Sequence, residues 1–198
     1  MKETTQHNLL EASIKLISEK GYLGATTREI AQEAGVTELT LFRHFGSKEK
    51  LFEEVLRRYT FLPTLKELLP ELEHLSCEDA LRLVGKKFLL TLKKRKSMIK
   101  IMHSELNLYP GKIRAVFNQS INEVKLVLAQ YFETLRQKGM LRDVSSETAA
   151  QVFLSILFSY FRNEEIIGGH KITKSKMDKD VQEFIDIILH GTLNGNHS

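Results

Sequence analysis

Three capping signals fall within residues 26–48, and they leave room only for short helices joined by tight turns. Thr26 and Glu29 form a capping box, in which the threonine oxygen takes one orphan amide at a helix start and the carboxylate takes another. The helix they open runs from Arg28 to Ala34, and Gly35 supplies the left-handed residue that ends it. Val36 fills the corner, Thr37 caps a second helix, and Leu41 with Phe45 sets apolar side chains at i and i+4 on its inner face. Ser47 caps a further helix directly behind. Glu38, Leu39, Thr40, Arg43 and His44 remain on the outer face of the middle helix. That is the arrangement by which a helix-turn-helix offers side chains to base edges in a major groove.

The whole string is more specific than its caps. Gly21-Tyr22, Ala25-Thr26-Thr27-Arg28-Glu29-Ile30-Ala31, Ala34-Gly35-Val36-Thr37, Thr40-Leu41-Phe42-Arg43-His44-Phe45 and Ser47-Lys48 resemble the N-terminal signature of the TetR family of bacterial repressors. Phe42 stands where that family usually has a tyrosine whose hydroxyl meets a phosphate, and Leu39 where a small residue or proline is frequent. The resemblance implies a three-helix DNA-binding head over residues 1–47 and a larger helical effector-binding and dimerisation body over residues 48–198. It further implies that Thr27, Arg28, Glu38, Leu39, Thr40, Phe42, His44 and Lys48 face DNA; helix geometry adds Arg43.

The charge distribution is not that of a basic domain. The chain carries a formal net charge of +4, yet residues 1–47 hold five basic side chains (Lys2, Lys15, Lys20, Arg28, Arg43) against six acidic ones (Glu3, Glu11, Glu19, Glu29, Glu33, Glu38). DNA binding by this segment therefore rests on where Thr27, Arg28, Arg43 and Lys48 point and on helix N-termini aimed at phosphates. The densest basic cluster lies elsewhere, at Lys86, Lys87, Lys93, Lys94, Arg95, Lys96 and Lys100. It reads as a solvated helix end, where cations favour the macrodipole, or as a backbone contact or anionic-ligand site.

Three prolines, no tryptophan and 42% hydrophobic residues at helical spacing favour an all-α chain. A first helix is expected over Gln6–Lys20 with Gly21 ending it, and another from Lys48 to Leu62 before Pro63. Further helices follow from Ser76, from Ser97 to the Pro110-Gly111 break, and from Lys112 to Lys138. Beyond Ser145 a helix is apolar nearly all round, including Val152, Phe153, Ile156, Leu157 and Tyr160, and such a helix must be covered on two sides. The last, from Lys176 to His190, carries Val181, Phe184, Ile185 and Ile188 in one stripe. These nine residues are expected to form an isologous four-helix contact with a second copy. Gly168 to Lys171 is the expected connection between the two helices, and the polar end from Asn194 is expected to be unstructured.

For an effector, the body offers Phe88, Leu92, Ile99, Met102, Leu106, Phe117, Ile121 and Phe158 as apolar lining, with His103, Asn107 and Asn118 to orient a guest. Such a lining suits a hydrophobic molecule, or an amphiphile such as a fatty acid or acyl thioester whose anionic head stays at the basic rim. No catalytic constellation emerges: His103 and Glu105 face different directions on a helix, and there is no Gly-rich phosphate loop. Cys77 stands alone, no Cys/His spacing suggests zinc, and neither a metal nor another cofactor is expected. The polar N-terminus does not read as a secretory signal, and the apolar run Val152–Phe161 is far short of the roughly 18 residues of a membrane span, so a cytoplasmic protein is expected. The reading is a cytoplasmic, homodimeric repressor released from a palindromic operator by a hydrophobic effector, not an enzyme. The alternative is a helix-turn-helix dimer with no small-molecule effector, regulated by a protein partner.

Overall fold

The computed structural model describes residues 2–142 and 144–191, and the polar end from Asn194 falls outside them. The elements are α1 (Lys2–Gly24), α2 (Thr27–Glu33), α3 (Glu38–Phe45), α4 (Lys48–Tyr59), α5 (Leu62–Leu72), α6 (Cys77–Lys94), α7 (Lys96–Glu105), α8 (Gly111–Gln137), α9 (Ser146–Phe161), a π-helical segment (Arg162–Ile167) and α10 (Lys174–His190). The all-α expectation holds. Gly21 breaks α1 as its position predicted, with φ +77°, but the chain resumes a helical course to Gly24.

The chain divides into two units. The first comprises residues 1–63 and 95–123, so α7 and the start of α8 belong with the helix-turn-helix and not apart from it. Leu9, Leu10 and Ile17 of α1 are at most 2% exposed. They share one core with Ile30, Leu41, Leu51, Phe52 and Val55 of the following helices and with Met98, Met102, Tyr109 and Ile113. Along its length α1 packs chiefly on α7, then on α2 and α4. Ser13, buried within this apolar face, is satisfied locally by donating to the Leu9 carbonyl (2.6 Å).

The second unit comprises residues 64–94 and 124–198. Its centre is the packing of α6 against α9 and α10. Gly85 permits the approach: a methyl group there would lie 3.2 Å from Val181 and 3.5 Å from Leu157 and Phe153. Phe153, Leu157, Val181 and Ile185 are consequently buried at 0–1% exposure inside the protomer, which corrects their assignment to a contact with a second copy. The periodicity of α9 and α10 was right, but α6 covers that stripe. Val152 and Ile187 are exposed, and Ile156, Tyr160, Phe184 and Ile188 half-buried.

The chain remains helical past Phe161, widening into the π-helical segment before the Gly168 turn. Its Glu165 is buried, accepts the Ile172 amide (2.9 Å) and lies 3.6 Å from the Lys93 ammonium, which itself donates to the Ile172 carbonyl. Lys86 pairs with Asp178 at 2.7 Å. Part of the basic cluster is thus structural, tying α6 to the segments that follow α9.

Phe153→Ala is expected to destabilise the protomer by about 3–5 kcal/mol through lost burial and an unfilled cavity, whereas Val152→Ala falls within about 0.5 kcal/mol. Urea unfolding at fixed protein concentration distinguishes the two.

Candidate nucleic-acid interface

The local rules written into residues 26–48 are realised bond by bond. Thr26 is extended (φ −80°, ψ 153°), its hydroxyl oxygen accepts the Glu29 amide (3.2 Å), and Glu29 accepts the Thr26 amide (3.0 Å) and hydroxyl (2.8 Å). Lys20 donates to the other Glu29 oxygen at 2.7 Å. The lysine, then the two Thr26 groups, draw the Glu29 carboxyl down to about 2. Gly35 has φ +71°, and the Val36 amide returns to the Ala31 carbonyl (2.9 Å), closing α2. Thr37 caps α3 through the Thr40 amide (3.2 Å), and Ser47 caps α4 through the Lys50 amide (3.2 Å).

Leu41 and Phe45 anchor α3 in the core, as their spacing requires. Opposite them Leu39 is 71% and Phe42 41% exposed, Arg43 is exposed, and His44 and Thr40 are half-buried. Arg28 is exposed at the start of α2. Two large apolar side chains in solvent on one short helix are unusual for a purely structural element, and they fit contact with thymine methyl groups and sugar edges.

Two contacts were not legible from spacing. The Thr27 hydroxyl donates its proton to Glu38 at 2.5 Å, joining the first residue of α2 to the first of α3. While that bond persists, Thr27 has no proton to offer a phosphate. Lys48 places its ammonium 4.4 Å above the centre of the Tyr22 ring, and partial burial pulls its pKa below the usual lysine value. Three carboxylates of the head are engaged locally: Lys20 pairs with Glu29, Lys15 with Glu33 at 2.6 Å, and Thr27 donates to Glu38.

The expected effector lining is divided between the two units. Phe88, Leu92 and Phe158 lie in the second unit, whereas Met102, Leu106 and Phe117 pack on the core around Leu9, Tyr22 and Phe52. Ile99 is half-buried in that first unit. His103, Asn107, Asn118 and Ile121 are exposed, so these three polar groups meet solvent and not a guest. The reason is that α1 claims the apolar stripe of α7, a partner that periodicity cannot name. Among the described residues no three His, Cys, Asp or Glu side chains gather as metal ligands, and no helix is long and apolar enough to cross a membrane.

Comparison with known proteins finds two family matches along the chain. Residues 9–55 match the model of the bacterial regulatory proteins of the tetR family, and residues 79–191 match that of the AefR-like transcriptional repressor C-terminal domain. The uncharacterised HTH-type transcriptional regulator YvkB of Bacillus subtilis is 32% identical over 85% of this chain and 87% of its own length. The HTH-type transcriptional repressor NicS of Pseudomonas putida is 27% identical over 81% of this chain and 76% of its own. In fold, the chain resembles the transcriptional regulator FadR from Bacillus subtilis in complex with stearoyl-CoA (TM-score 0.75, 16% identity, 94% of this chain and 99% of that one). With both of its parts matched and a full-length relative at that identity, the chain belongs to the TetR family of bacterial regulatory proteins.

Proposed function

We propose that this protein is a cytoplasmic homodimeric repressor that binds a near-palindromic operator through α3 and leaves it on binding a lipophilic effector, with long-chain acyl thioesters as the candidate class. The observation that carries the DNA-binding part is α3 itself: capped, anchored by Leu41 and Phe45, and exposing Leu39, Phe42 and Arg43 on its other face. Arg43 and Glu38 read base edges; Lys48 and the N-termini of α2 and α4 hold phosphates. Dimerisation uses the accessible faces of α9 and α10, Val152, Ile156, Tyr160, Phe184 and Ile188, extended by Ile187. The effector part is supported by the apolar Phe88, Leu92 and Phe158, by exposed Lys87 and Lys94 for an anionic head group, and by the likeness to FadR with its stearoyl-CoA. NicS supports repression over activation. The physics is linkage: an effector lowers operator affinity by only as much as it prefers the form that does not bind DNA.

Reading and anchoring separate experimentally. Arg43→Ala and Glu38→Gln each cost about 1–3 kcal/mol at particular base pairs, while Lys48→Ala weakens all sequences alike and lowers the salt slope by about one. Thr27→Val relaxes preference at the same base pair as Glu38→Gln and leaves the salt slope unchanged, because the hydroxyl acts by orienting the carboxylate. Binding titrations on a panel of operator variants at several salt concentrations measure all four.

Sedimentation is expected to show a dimer at micromolar concentration whose two α3 helices match half-sites roughly 34–36 Å apart. Val152→Arg with Ile187→Arg returns it to monomer. Palmitoyl-CoA releases the operator in a fluorescence anisotropy titration, and small polar metabolites do not. Release by polar metabolites alone would remove the effector class, and no release by any small molecule would favour a protein partner.

A further inference from the structure

The break in α1 is filled by a carboxylate from α7. At Gly21 the backbone takes φ +77°, and a side chain there would overlap the carboxyl group of Glu105. One Glu105 oxygen accepts both the Tyr22 amide (3.0 Å) and the Tyr109 hydroxyl (3.1 Å). The Tyr22 amide follows directly on this break, and Glu105 supplies it with an acceptor. The Tyr22 ring is then fixed on two further sides, 4.7 Å from the Phe52 ring and 5.8 Å, edge-on, from that of Tyr109. It is the ring on which the Lys48 ammonium stands, at 4.4 Å.

The other end of α7 is fastened in the same manner. The Arg95 guanidinium lies 4.4 Å over the Tyr59 ring of α4, and the Tyr59 hydroxyl donates to Glu11 of α1. The helix is therefore tied at both termini to the elements that carry the DNA-facing side chains. At Glu105 the tie leads, through the Tyr22 ring, to one of those side chains.

We propose that Glu105 is a positioning residue for DNA binding: by occupying the space above Gly21 it fixes the Tyr22 ring, and through that ring the Lys48 ammonium at the start of α4. This rests on the reading of the protein as a DNA-binding regulator, and it goes beyond it by assigning a role to a residue that does not face DNA. A carboxylate that merely satisfied a helix break would act on Lys48 only through its charge. Here a cation facing the phosphates takes its place from a ring, and the ring from a carboxylate on another helix.

The test is a double-mutant cycle on the full-length protein. Glu105→Ala is expected to weaken operator binding on the order of tenfold and to lower the salt slope by about one, as Lys48→Ala does. The double variant is expected to be no weaker than either single one, because both remove the same phosphate contact. Glu105→Gln keeps an acceptor oxygen and restores most of the affinity. An unchanged salt slope, or losses that add, would overturn the proposal and leave Glu105 a structural residue. A readout without DNA accompanies it: the Lys48 ε-methylene protons, shifted upfield by the Tyr22 ring in the wild type and Glu105→Gln, return to ordinary positions in Glu105→Ala. Should Glu105→Ala not fold, Tyr109→Phe removes one donor to the carboxylate; a partial loss of that shift supports the proposal and an unmoved shift overturns it. A wild type that bound no duplex in a salt-dependent manner would refute the DNA-binding reading instead, and the Lys48 shift would still decide the role of Glu105.

Discussion

Burial of α1 is the interaction on which the reading head depends. The helices α2 and α3 are seven and eight residues long, too short to persist in water on their own hydrogen bonds. They exist because Leu9, Leu10 and Ile17 of α1, essentially removed from solvent, give Ile30, Leu41, Phe52 and Val55 a common surface to cover. Each such side chain contributes about 1.5–3 kcal/mol on burial. The caps add about 1 kcal/mol apiece, enough to set where each helix starts but not to hold it in place. Because α7 covers the rest of α1, the orientation of the exposed face of α3 follows from a helix some sixty residues further along the chain.

The same head resolves a conflict between its charge and its task. A segment with more acidic than basic residues would repel a polyanion if the carboxylates were free on its surface. Glu29 and Glu33 are instead bound to lysines of α1, and Glu38 to a threonine hydroxyl, so these three carboxylates have a local role in the architecture. Specificity then depends on a few oriented groups and little on bulk attraction, which favours discrimination among sequences over non-specific binding.

In the second unit a single missing side chain has a large effect. Without a Cβ at Gly85, α6 comes close enough for Phe153, Leu157 and Val181 to fill the space over it. The apolar residues of α9 and α10 are thereby divided into those that hold the protomer together and those that remain accessible. The π-helical turn after Phe161 belongs to the same economy of space: the wider turn leaves Glu165 buried, where Lys93 and the Ile172 amide compensate its charge.

What the residue order determined by itself is what acts over three or four positions. The Thr26–Glu29 box, the Gly35 corner, the Thr37 and Ser47 caps and the Leu41–Phe45 stripe are all local, and each is present where the spacing placed it. The exposed residues of α3 were legible for the same reason, since a helix face follows from its period once its inner side is known. The tertiary structure decided everything that needed a partner distant in sequence: Glu38 on Thr27, Lys93 on Glu165, Glu105 on Tyr22, and the stripe of α7 on α1. Periodicity marks a stripe as buried but carries no label for what buries it, so Met102 and Phe117 read as lining and Phe153 and Val181 as interface. Only the packing of helix on helix assigns each stripe its partner, because apolar attraction is non-directional and the choice among partners is made by shape.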